Sequence, residues 1–148
     1  MTIFNTIALL DTNVLVYAAD ETSPFYNRSR DLMDRGLSGQ TLLCVCPQVL
    51  IEFFAIITDS RRVENPREPE EAVEEIEKYL LSKNILKIYP KEDTLQRTMI
   101  LVKKYNLKRQ RVFDAQLVAT MLSNGIEQIY TFNQEDFSKF DEIEVLIP

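Results

Sequence analysis

Two rhythms of apolar and polar positions alternate along this chain. One is the short unbroken apolar run, the mark of a strand buried on both faces; in the other, apolar residues recur three and four positions apart, as on a helix packed by one side. TIALL (6–10), TLLCVC (41–46), ILKIY (85–89), IYTF (129–132) and EVLI (144–147) are runs of strand length. Between them, PFYNRSRDLMDR (24–35) predicts a helix closed by Gly36, and VLIEFFAIIT (49–58) a buried helix with Pro47 near its first turn. After Pro69, the residues Ala72, Val73, Ile76, Tyr79 and Leu80 recur at helical spacing. Asp93 stands where an N-cap belongs, ahead of a stripe formed by Leu95, Met99, Val102 and Tyr105. The last long helix runs from about Val112 to Asn124 and stops at Gly125, a natural C′ residue; a short acidic helical turn follows IYTF.

Strands alternating with helices imply an α/β fold around a parallel sheet. The segment DSRRVENPREPEE (59–71), with two prolines and eight charged residues, reads as a surface loop. It is the one candidate boundary, and neither side of it would make a core alone, so a single domain over 1–148 is expected.

Composition narrows the function classes. At 45% apolar and 27% charged residues the chain matches ordinary soluble globular proteins. No apolar run approaches the roughly 20 residues of a spanning helix, so no membrane association is expected. The opening MTIFNTIALLD lacks a basic n-region and a small-residue cleavage site, which points to the cytoplasm. Cys44 and Cys46 lie two apart in LLCVCP and are expected to be buried, reduced thiols. A formal charge of -6 argues against non-specific coating of nucleic acid, which runs on phosphate neutralisation, but leaves room for a nuclease with an acidic centre. The absence of histidine excludes His-based triads, HExxH metalloproteases and His-ligated zinc.

Four polar residues, far apart in sequence, fall just past a strand or near a helix start. Asp11 ends the apolar run of IALLDTNVLVYAAD, Glu52 sits among apolar neighbours in PQVLIEFFAI, and Asp114 lies near a helix start in RVFDAQLVATM. Asn133 follows IYTF, with Asp136 three residues on, where a solvated surface acid is the simpler reading. Ligands of open parallel sheets bind beyond the carboxyl ends of the strands, so these positions share one rim. Converging carboxylates repel unless a cation neutralises them, and oxygen-only ligands suit Mg²⁺ or Mn²⁺. Such a centre implies metal-assisted phosphodiester hydrolysis. The basic run KKYNLKRQR (103–111) leads directly to Asp114, and within it Lys104, Lys108, Arg109 and Arg111 are candidate contacts to RNA phosphates. Arg61, Arg62 and Arg67 form a weaker second basic group, and no aromatic stacking platform is evident.

From LLDTNVLVYA through PQVLIEFF and FDAQLVATM to IYTFNQEDF, the chain resembles the PIN domain family, and within it the VapC-like toxin ribonucleases. The resemblance implies a doubly wound, Rossmann-like three-layer α/β/α sandwich with a Mg²⁺- or Mn²⁺-dependent endoribonuclease site. By motif, Asp11, Glu52 and Asp114 match the family's three acids, while Asn133 stands where many members carry a fourth. That departure bears on a second metal more than on the first, and Asp136 is close enough in sequence to substitute. Thr12 and Asn13 match orienting groups, and Thr131 a polar position at the end of the fourth strand. An antitoxin partner and a homodimer are implied on the same basis, with the helices near 26–35 and 70–83 as candidate apolar faces. An alternative is a catalytically impaired PIN-like module that binds RNA or protein. A phosphatase using Asp11 as nucleophile fits less well, because DTN lacks the second acid of a DxD motif.

Overall fold

The computed structural model describes residues 6–148. All five predicted strands form, each three residues long in its regular part: β1 (Ala8–Leu10), β2 (Leu43–Val45), β3 (Ile85–Lys87), β4 (Gln128–Tyr130) and β5 (Glu144–Leu146). They pair in parallel in the order β3-β2-β1-β4-β5, with Leu9 level with Cys44 on one side and Ile129 on the other. The central strands are closed to solvent on both faces, which is why they read as unbroken apolar runs. Both cysteines are buried and free, and burial pushes the Cys44 thiol up to about 12.

The helices are α1 (Thr12–Ala18), α2 (Tyr26–Leu37), α3 (Pro47–Ile57), α4 (Pro69–Leu81), α5 (Thr94–Tyr105), α6 (Arg111–Ser123) and the single turn α7 (Gln134–Phe137). Right-handed crossovers put α1 to α4 on one face of the sheet and α5 to α7 on the other, giving an α/β/α sandwich. The packing pairs agree: α1 with α2 and α3, α3 with α4, and α5 with α6.

Several details depart from the sequence pattern. The helix α1 was not predicted; TNVLVYA continues the apolar run of β1 without a break in composition. It starts because Asp11, in extended conformation, accepts the Thr12 N–H at 2.8 Å as an N-cap. Gly36 does not close α2 but lies buried inside it, where a Cβ would sit 2.4 Å from Leu43 Cδ1. The turn residue is Gly39, at φ +84°, while Gly125 at φ +71° takes the C′ role expected of it. On α5 the buried residues are Thr94, Thr98 and Leu101, and the predicted stripe is turned outward at Leu95 (71% exposed) and Met99. That side of α5 is polar because Thr94 and Ser123 share a hydroxyl hydrogen bond at 2.8 Å across to α6. Asp93 precedes the helix but does not cap it, since its carboxylate accepts from Arg97 and Ser123 instead.

Strands β1, β2 and β3 are laid down in one direction, and the chain then crosses back to place β4 on the other side of β1. The switch point of the sheet therefore lies between the carboxyl ends of β1 and β4, where Asp11 and Thr131 emerge side by side.

Candidate functional site

Asp11 is fixed from every side. It is only 8% exposed, and its backbone N–H donates to Tyr130 O, which ties the end of β1 to the end of β4. Oδ1 accepts the Thr12 N–H, and Oδ2 accepts the Thr131 hydroxyl at 2.8 Å and Asn13 Nδ2 at 3.3 Å. Thr131 is fully buried and accepts in turn from the Asn133 N–H at 2.9 Å, while Asn13 Oδ1 takes the Phe132 N–H at 3.2 Å. Thr12, Asn13 and Thr131 thus form one hydrogen-bonded collar that sets the rotamer of Asp11 and stitches the two strand ends together.

The other acids reach the same place from different elements. Pro47 at the first position of α3 starts that helix at the rim, and Glu52 follows on its second turn, exposed and without an ion-pair partner among the described residues. Asp114 lies in the first turn of α6 and Asp136 in α7. All four acids line one cavity of about 1120 Å³. Arg111, the first residue of α6, bridges Asp114 Oδ2 at 3.3 Å and Asp136 Oδ1. Asn133 Nδ2 donates to the other oxygen of Asp136. Asp136 is therefore part of this arrangement and not a free surface acid.

Electrostatics show what such a set costs. Burial pushes the Asp11 carboxyl up to about 6; Glu52 and Asp114 add to the rise as like charges, and the bonds from Thr131 and Thr12 oppose it. Burial also holds Asp114 above the usual carboxylate range, with Arg111 pulling the other way. The donors are all oxygen, acidic and arranged around one cavity, which is the chemistry of a hard divalent cation. The Thr12 hydroxyl is buried at the cavity wall with no hydrogen-bond partner among the described residues, one further oxygen available there. As the side chains stand, no three acidic or sulfur groups among the described residues are close enough to share an ion. Arg111 holds Asp114 and Asp136 in ion pairs with itself.

The predicted phosphate contacts separate. Arg111 lines the cavity, but Lys104 is committed to Glu142 at 2.7 Å outside it. Lys108 and Arg109 are exposed in the turn between α5 and α6 and do not line the cavity wall. In the second basic group, Arg61 pairs with Asp59 and Arg67 donates to Ala19 O, which leaves Arg62 on the cavity. Gln48 and Phe113 are among the lining residues that carry no functional signal in the sequence. Gln48 donates through Nε2 to Phe113 O at 3.0 Å, tying the first turn of α3 to that of α6, and its Oε1 is buried without a partner. Phe113 itself is 54% exposed at the cavity, beside Asp114. An aromatic residue on an otherwise apolar helix carries no signal of that exposure until the helix is placed.

The molecule is thus an α/β/α sandwich with an acid-lined cleft at the switch point of a parallel sheet. The chain belongs to the PIN domain family, whose pattern matches residues 8–143. Ribonuclease VapC48 of Mycobacterium tuberculosis is 28% identical over 138 residues, 93% of this chain and 94% of that protein. Among solved structures, the fold is similar to that of Mycobacterium tuberculosis VapC20, described as a Sarcin-Ricin loop cleaving toxin (TM-score 0.67, 16% identity, covering 93% of this chain and 98% of that one). It is also similar to VapBC2 from Rickettsia felis, solved bound to a DNA fragment from its promoter (TM-score 0.65, 15% identity, covering 96% and 98%).

Proposed function

We propose that this chain is a Mg²⁺- or Mn²⁺-dependent endoribonuclease and the toxin of a toxin–antitoxin pair. The observation that carries the reading is the convergence of Asp11, Glu52 and Asp114, from three separate elements, on one cavity at the switch point. The ribonuclease name of the related VapC48 supports the substrate class. The likeness to VapC20, described as a toxin, and to VapBC2 supports the toxin reading and, with it, an antitoxin partner.

Asp11, Glu52 and Asp114 would hold the cation, with Asp136 serving as the fourth acid in place of Asn133. When bound, the ion supplies Lewis-acid stabilisation of charge on the phosphoryl group and acidifies attacking water. The chain's own residues do the rest. Thr12, Asn13 and Thr131 hold Asp11 in one orientation, so that ligand geometry costs no reorganisation. Glu52, exposed and without an ion-pair partner among the described residues, is free to turn toward the ion. Arg62 and Arg111 bring positive charge to the cavity wall for RNA phosphates, with Lys108 and Arg109 further out on the surface.

Of the proposed homodimer faces, α2 exposes no large apolar side chain, whereas α4 exposes Val73, Leu80 and Leu81. These favour α4 over α2 as the dimer face. No helix among the described residues is long and apolar enough to cross a membrane.

One observation favours a second reading, a PIN-like module that binds RNA or protein without cutting: Arg111 neutralises Asp114 and Asp136. Calorimetric titration of Mn²⁺ into purified, partner-free protein separates the two. Saturable binding that weakens at least about tenfold in Asp114→Asn is the expected result, a loss of about 1.4 kcal/mol. Equal binding by both proteins, or none by either, would favour the binding module.

A further inference from the structure

We infer that the Arg111 guanidinium and a divalent cation compete for the same carboxylate oxygens, so that Arg111 sets the metal concentration at which the centre fills. The inference rests on the metal-site reading above. Arg111 and Asp114 are three residues apart at the start of α6 and therefore face the same way, which keeps the guanidinium beside the acid it neutralises. The same Nη1 reaches Asp136 on α7, so one cation of the chain spans acids from two elements.

Those oxygens are the ones an ion would need. Asp114 and Asp136 are gathered in a pair around Arg111, and no three acids among the described residues form a group that could share an ion. For an ion to enter, Asp114 has to release Nη1 and turn its Oδ2 into the cavity. The exchange is feasible because the Arg111 side chain is 49% exposed, so its ion pairs are screened and each is worth little. A divalent ion in contact with several carboxylates gains far more Coulomb energy than a half-exposed guanidinium does. Arg111 would then be a resident counter-ion, holding the acids against their mutual repulsion until the metal displaces it.

A structural strut would behave in the opposite way. If Arg111 merely held α7 against α6, removing it would let Asp136 drift and weaken ion binding. The sign of the change decides. In Mn²⁺ calorimetry, Arg111→Gln is expected to bind about three- to tenfold more tightly than wild type, the range of a screened, charge-assisted double contact. Lys139→Gln is the control, because Lys139 acts on Asp114 through space and makes no ion pair with it. It should change affinity by less than about twofold. Weaker or unchanged binding by Arg111→Gln, or a gain no larger than that of Lys139→Gln, would overturn the competition. In those cases wild-type binding still stands and the metal-site reading survives; if neither wild type nor variant binds Mn²⁺, both fall together.

Discussion

At the scale of single residues, the centre is held by hydrogen bonds that oppose its own repulsion. Asp11 receives Thr12, Asn13 and Thr131, yet burial still wins and lifts its carboxyl from 3.8 to about 6. The folded state therefore keeps a proton that the unfolded chain releases between those two values. Stability falls as pH rises through that window, and the full cost persists above pH 6. The ceiling on that cost is about 3 kcal/mol, from the size of the shift. Asp11→Asn should accordingly stabilise the metal-free protein by roughly 2 kcal/mol at pH 8 and by almost nothing near pH 4. Urea unfolding of both proteins at the two pH values measures it, and equal stability at pH 8 would mean that the collar fully offsets burial.

Helices and strands are positioned by packing details that their own sequences only half announce. Gly36 illustrates this: its place after an apolar-periodic stretch reads as a helix stop, while its role is to let α2 approach β2 and β3 at Leu43 and Ile85. Its backbone is helical, so alanine brings no conformational penalty of its own, and the cost is steric. Leu43 is buried and can yield little, so Gly36→Ala should destabilise by about 1–3 kcal/mol through overpacking. Chemical denaturation would show it, and a stabilised variant would mean that Leu43 repacks freely. The α5 stripe teaches a related lesson. Leu95 and Met99 have helical spacing, but the side that meets α6 is the one carrying Thr94 and Thr98, with Thr94 bonded to Ser123 of α6. Periodicity identified the helix and misjudged its buried face, because polar side chains that satisfy one another can be buried as well as apolar ones. The helix α1 escaped notice for the opposite reason: a continuous apolar run has no period to read.

For the molecule as a whole, stability and metal binding are linked. A cation that binds the folded acids and not the unfolded chain stabilises by mass action, by about 2.7 kcal/mol at a hundredfold excess over Kd. For a chain of this length that amounts to roughly 5–10 °C in Tm. The gain should be larger at pH 8 than at pH 5.5, because below about 6 a proton competes for Asp11. Thermal unfolding with and without Mn²⁺ at both values tests this; an equal gain at the two would remove Asp11 from the ion's ligands.

Apart from α1, the sequence by itself determined the order of strands and helices, because doubly buried strands and one-sided helices leave different apolar rhythms. It also determined the candidate acids, since Asp11, Glu52 and Asp114 stand in apolar surroundings where an ionised group needs a reason. Tertiary structure alone decided that β4 returns beside β1, which places Thr131 against Asp11 across 120 residues of chain. It also decided that Arg111 faces inward onto two acids while Lys104, from the same basic run, faces outward onto Glu142. Local patterning records what each residue wants from its neighbours in sequence. Which charges come within a few ångströms of one another is settled only when the crossovers close the sheet.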